Sequence, residues 1–441
     1  MSTPRSGAAA GGTVTPAPAP LVGTARVPGD KSISHRALLL AAVARGASVV
    51  RGINRGRDVL ATARAIGRLG ARATMDPDAA TAVVESPGWD ELVEPPTVID
   101  AGNSGTTLRT VLGLCATIHG GAALTGDATL RRRPMGRVVE PLRAMGATVD
   151  GRRAGHHAPL WVRGGPLRAI EWRSPVASAQ VKTALLLAGL RAEGRTRVVE
   201  PRPSRDHTER MLTAAGVVVD RDGPSVAVAG GQEPRACDRS VPGDPSSAAF
   251  LLAAAALVPG SDVAIEAVGV NPTRTGAIEV LREMGADIAL EDEDDAGGEP
   301  VATLRARASR LVGVDVGADV VPRLIDEIPV LAVVATQAHG RTRFTGASEL
   351  RVKESDRIDA VVTGLRRLGA RAEARADGLE VSGPTRLHGG VVDARGAHRI
   401  ALAFAVAALA SGVEVRIRGW GSVGTSFPGW DEVVAALRAR S

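Results

Sequence analysis

The sequence predicts an α/β protein of two domains, each made of three copies of one unit with an apolar helix buried under strands. Three observations predict it. Six apolar helical runs recur, each opened by polar residues and followed by a glycine. A second glycine marker recurs between them. The turn Val27-Pro-Gly-Asp30 returns as Val241-Pro-Gly-Asp244.

The runs open at Lys31, Asn103, Ser178, Asp244, Asp326 and His398, and their glycines are Gly46, Gly120, Gly194, Gly260, Gly340 and Gly412. Those glycines are 74, 74, 66, 80 and 72 residues apart. A glycine so placed closes a helix in the left-handed conformation. Strand candidates follow, as at 48–50, 196–199 and 413–417. The second marker is Arg68-Leu-Gly-Ala71, then Ala144-Met-Gly-Ala147, Ala214-Ala-Gly-Val217, Glu283-Met-Gly-Ala286 and Arg367-Leu-Gly-Ala370. Each ends an amphipathic helix and leads into an alternating strand. The unit is thus about 70 residues, and a last helix at 431–440 implies a sixth, cut-short copy. Runs such as 248–258 and 400–410 are apolar nearly all round, which places them in a core with sheets outside.

The two Pro-Gly turns mark where the chain passes between domains. Residues 30–241 form one domain on this reading, and 21–29 with 242–441 the other, facing it across a cleft. Residues 1–20, rich in Ala, Pro and Gly, read as a disordered tail.

Composition narrows the function. The 441 residues suffice for two sizeable cores, which must be Ala, Leu and Val because aromatics are 2% and tyrosine is absent. Net charge is +6, carried mostly by scattered arginine. Stacking aromatics are scarce and no long basic run or zinc-finger spacing occurs, which argues against nucleic acid. No apolar stretch nears the ~18 residues of a membrane span. Small anionic substrates remain as the partner for that charge. Cys115 and Cys237 lack metal-ligand spacing, so no metal is expected, and a reducing, cytoplasmic setting fits.

The starts of the runs carry the chemistry. Lys31, Ser32, Ser34 and Arg36 gather where helix N–H groups are unpaired and the dipole favours an anion. Ser32 is the expected cap. The stretch Asp100-Ala-Gly-Asn-Ser-Gly-Thr-Thr-Leu-Arg109 suits a backbone anion cradle, and no Walker lysine follows it. Three arginines, Arg131 to Arg133, stand in a loop suited to bidentate anion contacts. Ser178, Gln180 and Arg205 add a hydroxyl, an amide and a guanidinium. Asp326 and Glu327 precede a later apolar run, and His398-Arg399 opens the last. Lys353 and Arg357 share a helix face if their segment is helical. Each of these starts also fits a plain capped or salt-bridged helix. His156-His157 and the acidic run at 291–295 read as a loop and an exposed turn without a role.

Together these residues resemble the EPSP synthase family of enolpyruvyl transferases. The matching motifs are Pro-Gly-Asp-Lys-Ser-Ile-Ser-His-Arg (28–36), Gly-Asn-Ser-Gly-Thr (102–106), Gly-Asp-Ala with Arg-Pro-Met-Gly (126–136) and Ala-Ser-Ala-Gln-Val-Lys (177–182). Further matches are Arg-Asp-His-Thr-Glu (205–209), Pro-Gly-Asp-Pro-Ser-Ser (242–247), Asn-Pro-Thr-Arg-Thr-Gly (271–276), Asp-Glu-Ile-Pro (326–329) and Arg-Val-Lys-Glu-Ser-Asp-Arg (351–357). The resemblance runs from about residue 21 to the end. It implies an inside-out α/β barrel in each of two domains, three βαβαββ-type repeats apiece, closing over substrates.

The reaction it implies moves the enolpyruvyl group of phosphoenolpyruvate to the 5-hydroxyl of shikimate 3-phosphate, releasing phosphate, in a monomer without metal or organic cofactor. By the same resemblance, Lys31 would touch both substrates. Ser32, Arg36, Ser178, Gln180, Arg205 and Lys353 would hold shikimate 3-phosphate. Asn103, Gly105, Arg133, Gln180, Arg357 and Arg399 would grip phosphoenolpyruvate. Asp326 would deprotonate the 5-hydroxyl, and Glu354 with Lys31 would deliver a proton to the methylene carbon. His398 is a further candidate.

Three positions depart from the family or qualify it. Ala397 stands where the family usually has Asp, which removes a carboxylate expected to orient His398. Thr425-Ser-Phe-Pro428 carries a serine where many relatives have a nearby lysine. Gly105 is the glycine whose replacement by alanine accompanies glyphosate insensitivity, so glyphosate is expected to compete with phosphoenolpyruvate. The sister family acting on UDP-N-acetylglucosamine has Lys-Asn in place of Lys31-Ser32, and usually a loop cysteine that 126–137 lacks. Lys31, Asp326 and Glu354 argue against a copy that only binds anions, and Ala397 argues for one.

Overall fold

All six apolar runs are helices in the computed structural model, which describes residues 11–17, 19–76 and 78–438. They are Lys31–Val43, Gly105–Cys115, Ala179–Leu190, Pro245–Leu257, Ile328–Ala335 and His398–Ser411. The glycines after them all have positive φ, from +67° at Gly412 to +114° at Gly46. Such a φ suits a residue without Cβ, and it turns the chain out of the core into the next strand.

The chain divides into two compact units. One comprises Gly29–Pro242 with the short stretch Asp295–Glu299; the other comprises 1–28, 243–294 and 300–441. Each has its own core of Ala, Leu, Val and Ile.

In the Gly29–Pro242 unit the three core helices lie under three four-stranded sheets with one shared order. A short leading strand pairs parallel with the strand after the core helix, and that strand pairs antiparallel with a hairpin. In the second repeat these are Ile99–Asp100, Gly120–Thr125, His157–Gly164 and Thr148–Arg152. The crossover between the parallel strands is the buried helix Gly105–Cys115, as parallel pairing requires. Amphipathic helices Arg57–Arg68, Gly136–Ala144 and His207–Ala214 precede the hairpins. Small residues let the core helices approach closely: a methyl on Gly113 would meet Ala184 at 2.7 Å. In the first repeat, the leading strand comes from the far end of the unit, Arg239–Ser240 beside Gly46–Arg51.

The other unit repeats the order twice. Val22–Ala25 leads Asp262–Gly269, and Asp315–Val316 leads Gly340–Phe344, each with its hairpin. Its third sheet ends differently. Gly390–Asp393 pairs parallel with Val415–Arg418, the helix Trp430–Arg438 follows, and no hairpin comes after it among the described residues. Gly12–Val14 takes the missing place, antiparallel to Val415–Ile417.

The expectation of an unstructured tail is therefore corrected over 12–14; residues 1–10 and 18 lie outside the described residues. An open strand edge is a free ladder of N–H and C=O groups, and the leader satisfies it. The Ala17 N–H donates to Leu409 O at 3.2 Å, and Arg438 donates to Thr15 O at 3.0 Å. No described helix is long and apolar enough to cross a membrane.

A Cβ on Gly12 would lie 2.4 Å from Trp420 Cγ, whereas one on Gly11 would meet nothing nearer than Ile417 O at 3.4 Å. Gly12→Val is expected to cost about 1–3 kcal/mol by overpacking, and Gly11→Ala little. Melting temperatures of the two variants check this, and equal values would contradict the pairing.

Candidate active site

In the Gly29–Pro242 unit the polar helix starts converge through hydrogen bonds. Asp30, not Ser32, caps the first helix: its Oδ1 accepts the Ile33 N–H at 2.9 Å. The carboxylate two residues earlier reaches the orphan N–H of the first turn, which the expected serine, already helical, does not. Ser32 Oγ is instead reached by Arg205 at 3.1 Å. The Ser34 hydroxyl donates to Asp30 O and accepts the Asn54 N–H, which pins the Pro-Gly turn.

Lys31 Nζ lies 2.7 Å from Asp58 Oδ2, with side chains 16% and 12% exposed. Arg36 is buried and largely committed to protein oxygens. It donates to Thr208 Oγ1, Ser32 O, Ala179 O and Thr183 Oγ1 at 2.7–3.2 Å, so four of its five N–H groups hold the frame. Burial lowers its pKa to about 10, which still leaves it charged at neutral pH. Burial, then Lys31 and Arg36, hold the neighbouring His35 neutral; its Nδ1 pairs with Thr62 at 2.7 Å.

At the second start Ser104 caps, and Asn103 donates to Asp127 Oδ2 at 2.7 Å. Asp127 Oδ1 also accepts the Leu130 N–H, fixing the loop that carries Arg133. A methyl on Gly105 would sit 2.9 Å from both the Arg109 and Arg133 guanidinium groups, so the absent side chain is what lets the two cations flank that spot. Arg109 donates to Gln180 Oε1 at 2.6 Å, and Gln180 Nε2 to Thr106 Oγ1 at 2.9 Å. Ser178 caps the third helix. Lys31, Ser32, Asn103, Arg133, Ser178, Gln180 and Arg205 are each only half-buried, so each can reach a solute.

In the other unit three carboxylates meet two arginines. Arg357 donates to Asp326 Oδ1 at 3.0 Å and to Glu354 Oε2 at 2.5 Å. Arg399 Nε lies 3.4 Å from Asp326 Oδ1, and its NH1 3.8 Å from Glu327 Oε1. Burial works against the Arg357 charge, but Glu354 and Asp326 outweigh it and raise its pKa. Ser246 donates to Glu327, and Arg274 to Ser246 and Asp244.

One expectation is corrected here. Lys353 ends a 3₁₀ turn, Ser348–Val352, and the helix begins at Arg357 because Asp356 caps it, so Lys353 and Arg357 share no helix face. Ala397 is itself the cap position of His398–Ser411 and makes no side-chain bond there. Asp58, Arg109, Asp127 and Glu327 are site-forming residues that the sequence reading gave no role. Among the described residues no group of His, Cys, Asp or Glu could hold a metal ion.

Burial pushes the Glu327 carboxyl up, while Arg399 and Arg274 pull it back. A raised acid favours folding below its unfolded value of about 4.5 and loses that contribution as pH rises through its folded value. Glu327→Gln should therefore gain in melting temperature over the parent at pH 8, the gap closing toward pH 4.5. A gap independent of pH would count against a raised acid.

The sequence pattern of EPSP synthase (3-phosphoshikimate 1-carboxyvinyltransferase) matches residues 15–434. A 3-phosphoshikimate 1-carboxyvinyltransferase of Brevibacillus brevis is 49% identical over 94% of this chain and 97% of its own. One of Halorhodospira halophila is 51% identical over 95% and 94%. The solved EPSP synthase of Acinetobacter baumannii superposes with TM-score 0.86 at 41% identity, covering 96% of this chain and 97% of its own. The enolpyruvyl transferase NikO of Streptomyces tendae, at 19% identity and TM-score 0.77 over 96% of both chains, shares the fold. By motif order, repeat architecture and identity along its length, this chain belongs to the EPSP synthase family.

Proposed function

We propose that this chain transfers the enolpyruvyl group of phosphoenolpyruvate to the 5-hydroxyl of shikimate 3-phosphate. It acts in the cytoplasm as a monomer without cofactor, and the two compact units are its two domains. The observation that carries the chemistry is the placing of two carboxylates, Asp326 and Glu354, on one buried guanidinium, Arg357. A substrate carboxylate or phosphate that takes Arg357 and Arg399 competes with those carboxylates. Their proton affinity then rises as the anion binds. Asp326 takes the 5-hydroxyl proton as that oxygen bonds to carbon 2 of phosphoenolpyruvate. Glu354, with Lys31, supplies the proton that carbon 3 gains, and the same position loses one when the carbon–phosphate oxygen bond breaks.

Ser32, Ser178, Gln180, Arg205 and Lys353 hold shikimate 3-phosphate, with Arg36 contributing one N–H and the frame. Asn103, Arg133, Gln180, Arg357 and Arg399 hold phosphoenolpyruvate beside the space left at Gly105. His398 belongs to the start of the helix that presents Arg399. Paired cationic groups neutralise two phosphates and a carboxylate that would otherwise repel.

The test is phosphate release by the purified protein. Release is expected only with both substrates present, and Asp326→Asn or Glu354→Gln should slow it about 10²-fold or more. Binding of both substrates without release would identify an anion-binding copy instead. Asp58→Ala removes the partner of Lys31 and should raise the KM of both substrates about tenfold. Unchanged constants would reduce Asp58 to a surface acid.

A further inference from the structure

Beneath the phosphate seat lies a buried group of charges that the proposed chemistry does not use. Lys182 Nζ is 3.0 Å from Glu200 Oε2 and 2.7 Å from Glu209 Oε1, and all three side chains are at most 2% exposed. The two carboxylates raise the lysine's pKa in spite of its burial. A buried ion pair of this kind adds little stability over a well-packed apolar group of the same volume. Its hydrogen bonds are more specific. Glu200 Oε1 accepts the Ser178 N–H at 2.7 Å. Glu200 Oε2 accepts the Ser204 N–H at 3.1 Å and the Ser204 hydroxyl at 2.8 Å.

Those two serines are far apart in sequence and near in role. Ser178 opens the third core helix, and Ser204 immediately precedes Arg205, which reaches Ser32. One carboxylate therefore ties together, through backbone N–H groups, the two loops that carry Ser178 and Arg205. Both oxygens are engaged and Lys182 fixes the Oε2 end, so the carboxylate cannot turn without breaking a charged contact.

We propose that Glu200 is a positioning residue for the shikimate 3-phosphate seat, setting the spacing between Ser178 and Arg205, with Lys182 and Glu209 holding it in place. This rests on the reading of that seat given above. The reach of the side chain does the positioning: a shorter acid in its place keeps the charge for Lys182 but cannot span both loops.

Glu200→Asp and Ser204→Ala are the informative variants, assayed by phosphate release with each substrate varied in turn. Glu200→Asp is expected to raise the KM for shikimate 3-phosphate about tenfold or more, from the loss of a charged hydrogen bond to one loop, with kcat and the KM for phosphoenolpyruvate within about twofold. Ser204→Ala, which removes one hydroxyl contact and keeps the N–H, should raise the same KM by about two- to fourfold. Full rescue by Glu200→Asp would overturn the proposal, because charge alone would then suffice. A parallel loss of kcat, both KM values and melting temperature would overturn it too, in favour of a general packing role. If the unsubstituted protein releases no phosphate from the two substrates, the functional reading fails before any variant is compared, so the two failures are distinct.

Discussion

A helix that is apolar all round can be buried only if its ends are served, and this constraint shapes the whole molecule. Its first-turn N–H groups have no partner within the helix. Each of the six core helices must therefore begin in polar residues, at one edge of its unit. Asp30, Ser104, Ser178 and Asp244 meet that need with side-chain caps. Glu327 and Ala397 make no side-chain cap bond. Those last two helices are the ones that present Asp326 and Arg399. Polar residues that the fold requires at these starts are thus also the ones available for chemistry.

The buried charges point the same way. Neither Lys182 with its two glutamates nor Arg357 with Asp326 and Glu354 is explained by stability, since desolvation offsets most of what such pairs gain. What they provide is direction. Each fixes a carboxylate or guanidinium in one orientation, at a residue next to a helix start. Arg274, Ser246 and Asp244 extend the second network back to the Pro-Gly turn. That turn is thereby linked, within one unit, to the carboxylates that neighbour Arg399.

The repeat was legible because its markers are backbone requirements. A glycine at positive φ after every core helix recurs whatever the surrounding side chains do, and so do the apolar runs. The starts of all six core helices fall within two residues of their polar openings for the same reason. What was not legible depends on three-dimensional neighbours. Asp58, Arg109 and Glu200 have no role that their local sequence reveals, and each matters through a partner 22 or more residues away: Lys31 for Asp58, Gln180 for Arg109 and Ser178 for Glu200. The choice of Asp30 over Ser32 as cap turned on two residues of helix phase. The pairing of Gly12–Val14 had no local signal, because its partner strand Val415–Arg418 is far away in sequence, in a repeat with no hairpin after it among the described residues.

Arg36 shows how a motif residue can be cationic and yet largely committed to the protein's own oxygens. Beside Lys31 and Ser32 it suggests direct phosphate binding. Yet it spends four N–H groups on Thr208, Ser32, Ala179 and Thr183. Its positive charge is still felt around Ser32 and Arg205, because burial leaves little solvent to screen it. Its hydrogen bonds meanwhile join the first core helix to the third and to the helix His207–Ala214 that follows Arg205. The same residue therefore supplies field and frame, and Glu200, of opposite charge, ties the Ser178 and Ser204 backbones together. An anion site built this way gains its attraction from groups that do not have to move when the anion arrives, which is the condition under which buried electrostatics favour binding most.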